Sequence, residues 1–471
     1  SMTPTPREPV VDMAETTVRV RFVTDLPEEF QVDDTVFDLP VSSSPELLSQ
    51  LINSSLDMED AARPFDFRSG SRILKTTLGA LLLSLDLSSE AELELHYSLH
   101  VLPPELDAQA RVSDWVGAVS AIGPRSVVAG SHDGQVHLVS LPPLGERAAD
   151  GFKTLTATSP VTQVPAHRLP IAGLTTLPLG PLRGTDSKGH AVLTGAMDGS
   201  LCLSLAENET LSPAKEIHAF DNPIASLCRM QGAAVVASGN QLFTVTLKEE
   251  GKGFLADVEQ IAETRAASNT YTCVAPLTGV RCITGDVNAG LRIYDVLEMR
   301  ETTVIRTPAS VTCLTTPLDA ACTGYNAVPN TATNDIVKGA DGVIAVTGHA
   351  DRNARLYDMR QSGGMARVFT GHRHHISSVS LSPSGPYMAS TDALGHMRIW
   401  DLRSTSVLHT VDIGDAWVKA IKDTVGGETV VEQFRRDQYR SLCGAWTKGG
   451  LIHGGSDNLV RCLYVGASRK E

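Results

Sequence analysis

The feature that most constrains this fold is a unit of roughly 30 to 50 residues that recurs from Pro103-Pro104 onward. In each copy short apolar runs are separated by Gly, Asp, Asn and Ser, the residues that favour tight turns. The chain has 471 residues, 42% of them apolar, so it can hold a repeat fold and an accessory domain. Its apolar runs stay below the roughly 18 residues that a bilayer span needs.

One copy is almost complete and shows what the unit is. It runs from Gly371-His372 to Trp400-Asp401, with apolar strands between these dipeptides. This order is typical of a WD repeat, which forms one four-stranded blade of a β-propeller. We predict a structural hydrogen-bond network within this blade, made by His372, Ser390, Asp392 and Trp400.

Six weaker copies align on the same frame, which predicts an all-β propeller of seven blades over residues 108–467. Glu471 follows the third strand of the seventh copy closely, so that blade lacks an outer strand of its own. The extended segment from Ala108 to Ser113 can supply this strand. We predict that it pairs beside Leu459 to Tyr464 and closes the ring.

The first hundred residues differ in charge from the rest of the chain. They hold 18 acidic and 7 basic residues, whereas the whole chain has 54 and 40. This asymmetry indicates a separate acidic domain, which would repel phosphate backbones. We predict a disordered tail over residues 1–14, the acidic domain over 15–99 and a linker over 100–107.

The acidic domain contains strands on both sides of a helix. Alternation of Val18, Val20 and Phe22 predicts a half-buried strand, and a second strand is expected between residues 32 and 39. Ser44 and Pro45 predict the start of a helix whose apolar face is formed by Leu47, Leu48, Leu51 and Ile52. A strand that begins at Phe65 and Phe67, turns at Ser69-Gly70 and continues the sheet at Ile73 and Leu74, and a last strand over residues 93–97, complete a β-β-α-β-β order. This α+β order resembles the ubiquitin-like β-grasp fold.

Three glutamates mark the last strand of this domain. Glu90, Glu92 and Glu94 share parity, so they leave the face opposite to Leu93 and Leu95. Glu90 comes first, before the strand, and could complete the oxygen coordination of a hard cation held elsewhere. A solvated acidic face is the plainer interpretation of the same pattern.

Signals of catalysis or of a resident metal are weak. The eight cysteines all follow residue 200 without a C-x-x-C pair, so we interpret them as reduced core thiols. His374 and His375 are adjacent and would point apart in an extended segment. Phosphate-loop, zinc-protease and serine-hydrolase motifs do not occur in the sequence. We therefore expect no enzymatic activity and no intrinsic cofactor.

Four long insertions, which could be partner sites or disordered, span residues 141–165, 179–190, 317–342 and 426–441.

The acidic domain, the Leu102-Pro103-Pro104 linker and the degenerate propeller together resemble the Ytm family, called WD-repeat protein twelve in animals. The resemblance implies a non-enzymatic assembly factor of the large ribosomal subunit, located in the nucleolus and nucleoplasm. The propeller would bind an Erb/Bop-type propeller protein and, through it, a Nop/pescadillo-type protein. The family's Ser-x-Glu falls on Ser88, Ser89 and Glu90.

The resemblance also implies a role for Glu90. The AAA ATPase midasin would grip the ubiquitin-like domain through its metal-ion-dependent adhesion site and remove the protein from the pre-ribosomal particle. Glu90 would complete the sphere of a Mg²⁺ shared in trans, supported by Ser88, Glu92 and Glu94. The resemblance implies no membrane partner and leaves direct contact with RNA open.

Two other classes of function stay open on sequence alone. WD propellers often present clients to ubiquitin ligases, so a substrate adaptor is the alternative. A propeller hydrolase would need convergent polar residues around the central channel, and the sequence identifies no such set.

Overall fold

The computed structural model forms two compact units, which are residues 1–102 with 466–471 and residues 103–465. The predicted tail over residues 1–14 lies outside the described residues, as does most of each of the four insertions. No helix in the described part of the chain is long and apolar enough to cross a bilayer. The described residues are 16–58, 62–88, 90, 92–123, 125–141, 161–179, 189–207, 209–230, 232–250, 253–264, 268–318, 344–359, 364–383, 385–413 and 439–466.

The N-terminal domain is a five-stranded mixed sheet with two helices and a 3-10 turn at Glu28–Phe30. Across the sheet the strand order is 2-1-5-3-4, and the first strand is parallel to the fifth. In chain order the elements are β1 (Thr17–Val23), β2 (Val36–Pro40), α1 (Pro45–Ser55), β3 (Phe65–Ser69), β4 (Arg72–Ile73), α2 (Leu78–Leu85) and β5 (Glu92–Leu99).

The core of this domain follows the predicted alternation. Val18, Val20 and Phe22 of β1 are buried, and α1 covers them with Leu48 and Ile52. The prediction for Leu47 was wrong, because its side chain is 55% exposed. Ser44 does occupy the N-cap position before Pro45, but its side chain makes no capping hydrogen bond to the backbone.

Helix α2 was not predicted. Thr77 caps it by accepting a hydrogen bond from the Ala80 amide over 3.3 Å. Leu78, Leu81 and Leu82 are buried in the same core as α1. The helix ends at Asp86, which adopts a left-handed conformation with φ of 55°. The helix therefore delivers the chain directly to the turn that contains Glu90.

The second unit consists of seven sheets, and each sheet is one blade. Each blade has an inner, second, third and outer strand in antiparallel order, and blade 2 adds the short strand Thr210–Leu211. The inner strands of blades 1 to 7 are Val116–Ala121, Ile171–Pro178, Ile224–Arg229, Tyr271–Pro276, Val311–Thr315, Ile376–Leu381 and Ser441–Thr447. The second strands are Ser126–Ser131, His190–Ala196, Ala234–Ser238, Arg281–Asp286, Ile344–His349, Tyr387–Asp392 and Gly450–Gly455.

The remaining strands complete each blade toward its rim. The third strands are Gln135–Ser140, Ser200–Glu207, Gln241–Glu250, Gly290–Asp295, Ala354–Asp358, His396–Asp401 and Leu459–Tyr464. The outer strands are Val161–Pro165, Lys215–Ala219, Gly253–Glu263, Arg300–Arg306, Gly364–Phe369, Val407–Asp412 and, for blade 7, Glu105–Arg111.

The inner strands form a closed circle, because each one contacts the next and the inner strand of blade 7 contacts that of blade 1. The outer strand of blade 7 precedes blade 1 in the chain and pairs antiparallel with Leu459–Tyr464. This strand begins at Glu105, three residues before the predicted start of the propeller at residue 108. The linker is correspondingly shorter than residues 100–107.

Hydroxyl groups join neighbouring blades next to the channel. Every inner strand has a register shift after its first residue. At this shift Thr272 Oγ1 donates to the Val311 carbonyl over 2.7 Å, and Thr312 Oγ1 donates to the Ile376 carbonyl over 2.6 Å. Ser377 Oγ donates to Ser441 Oγ over 3.1 Å. These bonds join the inner strands of blades 4, 5 and 6 to the inner strand of the next blade.

Removal of the closing strand should destabilise the propeller strongly. Deleting residues 106–114 exposes the edge at Leu459–Tyr464 and opens the core around Ala108 and Ala110. We expect the melting temperature to fall by about 10 °C or more. Deletion of residues 2–10 serves as the control of similar length. An unchanged melting curve for the first variant would contradict the closure.

Candidate functional site

The structure brings the four predicted residues of blade 6 together. Trp400 Nε1 donates to Ser390 Oγ over 2.8 Å, and Ser390 Oγ lies 2.6 Å from His372 Nε2. Ser390 Oγ thus accepts from the indole, and the tautomer of His372 decides which atom is the donor in the second contact. All of these groups are buried. Their hydrogen bonds join the third strand, through the second strand, to the segment that precedes the inner strand of the blade.

Asp392 makes a different contact from the one expected. His372 Nδ1 lies 3.5 Å from Asp392 Oδ2, which is too long for a good hydrogen bond. The carboxylate accepts instead from the Leu394 amide at 3.1 Å and from His396 Nδ1 at 3.0 Å. Burial opposes ionisation, but His372 and His396 outweigh it and hold the pKa of Asp392 well below its usual range. Asp392 therefore orders the turn more than it anchors His372.

A buried imidazole beside a hydroxyl recurs in other blades, where the sequence showed only partial motifs. His167 Nε2 lies 2.8 Å from Thr194 Oγ1 in blade 2, and His349 Nε2 lies 2.7 Å from Thr347 Oγ1 in blade 5. Blade 7 uses His453, 3.0 Å from Ser441. Blade 1 uses His137, 3.2 Å from Ser131. In blades 1, 2 and 7 the histidine and its hydroxyl partner lie on different segments, whereas in blade 5 Thr347 and His349 lie two residues apart on one strand, so the last pair could have been found by sequence spacing.

The position of Trp400 holds tyrosine in blades 4 and 5, with different chemistry. Tyr294 Oη lies 2.6 Å from Tyr271 Oη and 3.2 Å from Glu301 Oε2. The buried hydroxyl of Tyr357 has no hydrogen-bond partner among the described residues. The register explains the difference, because Tyr294 stands opposite Glu301 whereas Tyr357 stands opposite Met365.

A cavity of about 180 Å³ lies at the centre of the ring and is lined by all seven inner strands. The fourth residue of each inner strand contributes to it, which gives a circle of six apolar residues and Gly444. Arg229 is the one charged residue of the lining, and the polar remainder consists of Ser and Thr hydroxyls. The lining therefore contains no nucleophile and base of the kind that hydrolysis requires.

Six of the described cysteines have thiols of low reactivity at neutral pH. Burial raises the pKa of Cys202, Cys273 and Cys282 to about 12, and it does the same for Cys313, Cys443 and Cys462. Thiols that stay protonated at neutral pH are poor nucleophiles and poor metal ligands. His374 stacks on His396 with ring centroids 6.4 Å apart. Within the described residues no three His, Cys, Asp or Glu side chains are grouped to hold a metal ion.

Glu90 lies in the turn between α2 and β5 and is exposed. Arg19 Nη2 donates to the Glu90 carbonyl over 3.3 Å, and the Glu90 amide donates to Ser88 Oγ over 3.3 Å. No hydrogen bond or ion pair within the described residues engages the Glu90 carboxylate. Ser89 lies outside the described residues. The backbone of the turn is thus held while the carboxylate points to solvent.

The two other glutamates are in different surroundings. Glu94 Oε1 is 2.8 Å from His96 Nε2. Glu92 stands opposite Arg19 in the parallel register of β1 and β5. The pKa of the neighbouring Arg21 is raised, mainly by its hydrogen bond to Asp34 and further by the charges of Glu92 and Glu94. Both glutamates therefore belong to a face of mixed charge, while Glu90 lies at its edge.

Two family models match the chain. The NLE (NUC135) domain matches residues 18–82, which run from β1 into α2. The WD domain, G-beta repeat matches residues 363–401, which include the nearly complete blade. The chain therefore has an N-terminal segment similar to the NLE domain and a segment similar to a WD repeat, which forms most of one of the seven sheets of the ring.

Curated relatives match almost the whole chain. It is 25% identical to "Ribosome biogenesis protein WDR12 homolog" of Oryza sativa subsp. japonica, over 95% of this chain and 96% of that protein. It is 25% identical to "Ribosome biogenesis protein YTM1" of Saccharomyces cerevisiae strain S288c, over 87% of this chain and 92% of the relative. A Chlamydomonas reinhardtii WDR12 homologue is 27% identical over 83% of this chain and 88% of its own length. The resemblance to the Ytm family is confirmed.

Substitutions at the position of Trp400 should change the free energy of unfolding by different amounts in blades 4, 5 and 6. Trp400→Phe removes the donor to Ser390 and some core volume, so we expect the free energy of unfolding to fall by about 1–3 kcal/mol. Tyr294→Phe removes a bonded hydroxyl and should cost about 1 kcal/mol. Tyr357→Phe removes an unpartnered buried hydroxyl and should be neutral or stabilising. Denaturant unfolding measures all three. Equal losses for the two tyrosine variants would contradict this assignment.

The buried histidines should make the propeller sensitive to acid. Burial lowers the pKa of His137, His167, His349 and His372, and burial with the charge of Arg461 lowers the pKa of His453 to about 3. Unfolding frees these groups to bind protons near pH 6.5, so stability is full above that pH and is lost as pH falls below it. Each group contributes a slope of up to about 1.4 kcal/mol per pH unit.

The pH dependence is measured by denaturant unfolding between pH 7 and pH 4. His453→Gln should flatten the slope, because it removes the imidazole with the lowest pKa. Thr410→Ala, an exposed substitution on the outer strand of blade 6, is the control and should keep the slope. A slope that is identical for the two variants would show that His453 is not the titrating group.

Proposed function

We propose that this chain is a non-enzymatic assembly factor of the large ribosomal subunit that acts in the nucleolus and nucleoplasm. The names of its relatives and the match over nearly the whole chain support a nuclear role in ribosome biogenesis. The chemistry of the described residues supports a scaffold, since the central cavity lacks paired catalytic groups and the buried thiols stay protonated.

The N-terminal domain, in this proposal, is a ubiquitin-like β-grasp domain. Its strand order of 2-1-5-3-4 and the packing of α1 against the sheet support this fold. The parallel pair of β1 and β5 lies at the centre of the sheet, so the turn before β5 starts from a rigid element. A rigid turn can present one side chain in a fixed direction.

Glu90 is the proposed ligand of a Mg²⁺ that belongs to the metal-ion-dependent adhesion site of the midasin ATPase. The single observation that carries this assignment is the exposed Glu90 carboxylate, which no group among the described residues engages, while Arg19 and Ser88 bind the carbonyl and amide of the same residue. Mg²⁺ prefers oxygen ligands and commonly takes only one or two carboxylates from any one protein. The described residues of this chain hold no metal cluster of their own, which fits the supply of one ligand in trans.

Glu92 and Glu94 would support the contact through their charge. Both are exposed on β5, the strand that follows Glu90, and both would strengthen the negative field near the cation. The propeller would meanwhile bind an Erb/Bop-type propeller protein and, through it, a Nop/pescadillo-type protein. Pulling by the ATPase on the ubiquitin-like domain would then remove the complex from the pre-ribosomal particle.

The test is Mg²⁺-dependent binding of the full chain to the adhesion domain of midasin. Glu90→Gln keeps size and hydrogen-bonding capacity but removes the anionic ligand, so we expect binding to weaken at least about tenfold. Glu92→Gln and Glu94→Gln are matched controls on β5 and should each weaken binding less than about threefold. Chelation of Mg²⁺ should abolish binding of the unmodified chain and of both controls.

Two outcomes would overturn the assignment. Normal Mg²⁺-dependent binding by Glu90→Gln would move the ligand role to another carboxylate. Co-purification with ubiquitin-ligase scaffolds instead of ribosomal factors would favour a substrate adaptor. Binding of the Erb/Bop-type protein should be unchanged in Glu90→Gln, and its loss there would indicate misfolding.

A further inference from the structure

One face of the propeller carries large apolar side chains that are exposed on neighbouring blades. We call the face on which the inner strands begin the upper face; it also carries the turns between second and third strands. Trp115 is 42% exposed, Leu169 46% and Met197 51%. Trp115 and Leu169 precede the inner strands of blades 1 and 2, and Met197 lies in the turn of blade 2.

These side chains lie on hydrogen-bonded, adjoining segments. The Trp115 carbonyl accepts from the His132 amide at 2.8 Å, and the two rings are 5.5 Å apart. The Met197 amide donates to the Pro170 carbonyl at 3.0 Å, next to Leu169.

A glycine turn joins the two blades at this point. The His167 amide donates to the Gly134 carbonyl at 3.0 Å. Gly134 has φ of 80°, and a Cβ there would lie 2.1 Å from the His167 carbonyl oxygen, so only glycine allows this approach. The apolar groups are therefore parts of one surface rather than isolated residues.

Carboxylates surround this surface. Asp114 and Asp133 lie at its blade 1 side, Asp198 follows Met197, and Asp221 lies in the loop before blade 3. In the described residues no Lys or Arg side chain pairs with any of the four. Hydrogen bonds from Ser200 and from backbone amides outweigh burial and lower the pKa of Asp198. Burial lowers the pKa of the neighbouring His132, so it stays neutral at pH 7.

We propose that the upper face of blades 1 to 3 is the docking surface for the protein partner of the propeller, and that the partner presents apolar side chains beside Lys or Arg. An exposed tryptophan within an apolar surface is typical of interface hot spots. Four carboxylates against the exposed cation of Arg168 leave the described part of this surface acidic, which fits a basic partner and would speed its association. This inference rests on the proposed function, which gives the propeller an Erb/Bop-type partner.

The opposite face has an apolar group of similar size on blade 4, formed by Val280, Leu297 and Met299. Its charges are already paired within the chain. Arg300 Nε lies 2.5 Å from Glu298 Oε2, and Arg281 Nε lies 3.6 Å from Asp295 Oδ2. The four charged residues named here therefore pair with one another, and the group provides matched control positions.

The experiment measures binding of the full chain to a purified Erb/Bop-type propeller protein. Met197→Lys places a cation on the upper face, and we expect affinity to fall at least about tenfold. Leu297→Lys makes the same change at the 75% exposed position of blade 4 and should stay within about twofold. Asp221→Asn should weaken binding less and should reduce its dependence on salt. Melting temperatures identify any variant that fails to fold.

The possible outcomes are distinct. A larger loss for Met197→Lys than for Leu297→Lys supports the upper face. Equal affinities of Met197→Lys and the unmodified chain, or a larger loss for Leu297→Lys, would overturn it while the partner assignment stands. Absence of binding by the unmodified chain would overturn the Erb/Bop assignment together with this surface. Mg²⁺-dependent binding to midasin tests the proposed role of Glu90 independently of each of these outcomes.

Discussion

The propeller depends on one pairing, between Glu105–Arg111 and Leu459–Tyr464. Sheets arranged in a circle are stable only when the last sheet packs against the first, and blade 7 has just three strands of its own near the C-terminal end. The pairing completes this blade and covers its edge. An ion pair between Asp107 and Arg125, with an N–O distance of 2.7 Å, also ties the closing strand to blade 1. The first and last strands of the propeller in chain order thus pair with each other and close the circle.

Within the circle, different blades meet the same physical need with different groups. A polar side chain buried between strands must find a partner, and blade 6 provides the full set around Ser390. Blade 4 provides a pair of tyrosines and Glu301 instead. Blade 5 leaves the hydroxyl of Tyr357 unpartnered and relies on packing. Degenerate repeats can therefore form a regular ring because the shape of the blade, and not one network, is what all seven share.

Sequence patterns identified the elements with strong periodicity. The alternation of Val18, Val20 and Phe22 was sufficient for β1, and the count of repeats was sufficient for the propeller. Helix α2 was missed because it is short and almost wholly apolar, so it lacks the polar face that marks an amphipathic helix. The difference between Tyr294 and Tyr357 depends on the register of the outer strand, which sequence spacing does not specify. Parity grouped Glu90 with Glu92 and Glu94, and its position before the strand set it apart, but the hydrogen bond from Arg19 to its carbonyl joins residues 71 positions apart, which sequence spacing does not reveal.

The position of the closing strand has a mechanical consequence. The N-terminal domain and this strand are consecutive in the chain, with Pro103 and Pro104 between them. Traction applied to that domain would therefore enter the ring at Glu105, the first residue of the strand that seals it. The six residue pairs between that strand and Leu459–Tyr464 would bear the load before it reached any other blade. This strand pairing would then be the first contact of the ring to break under load. The force that breaks it would limit the force that the whole propeller can withstand.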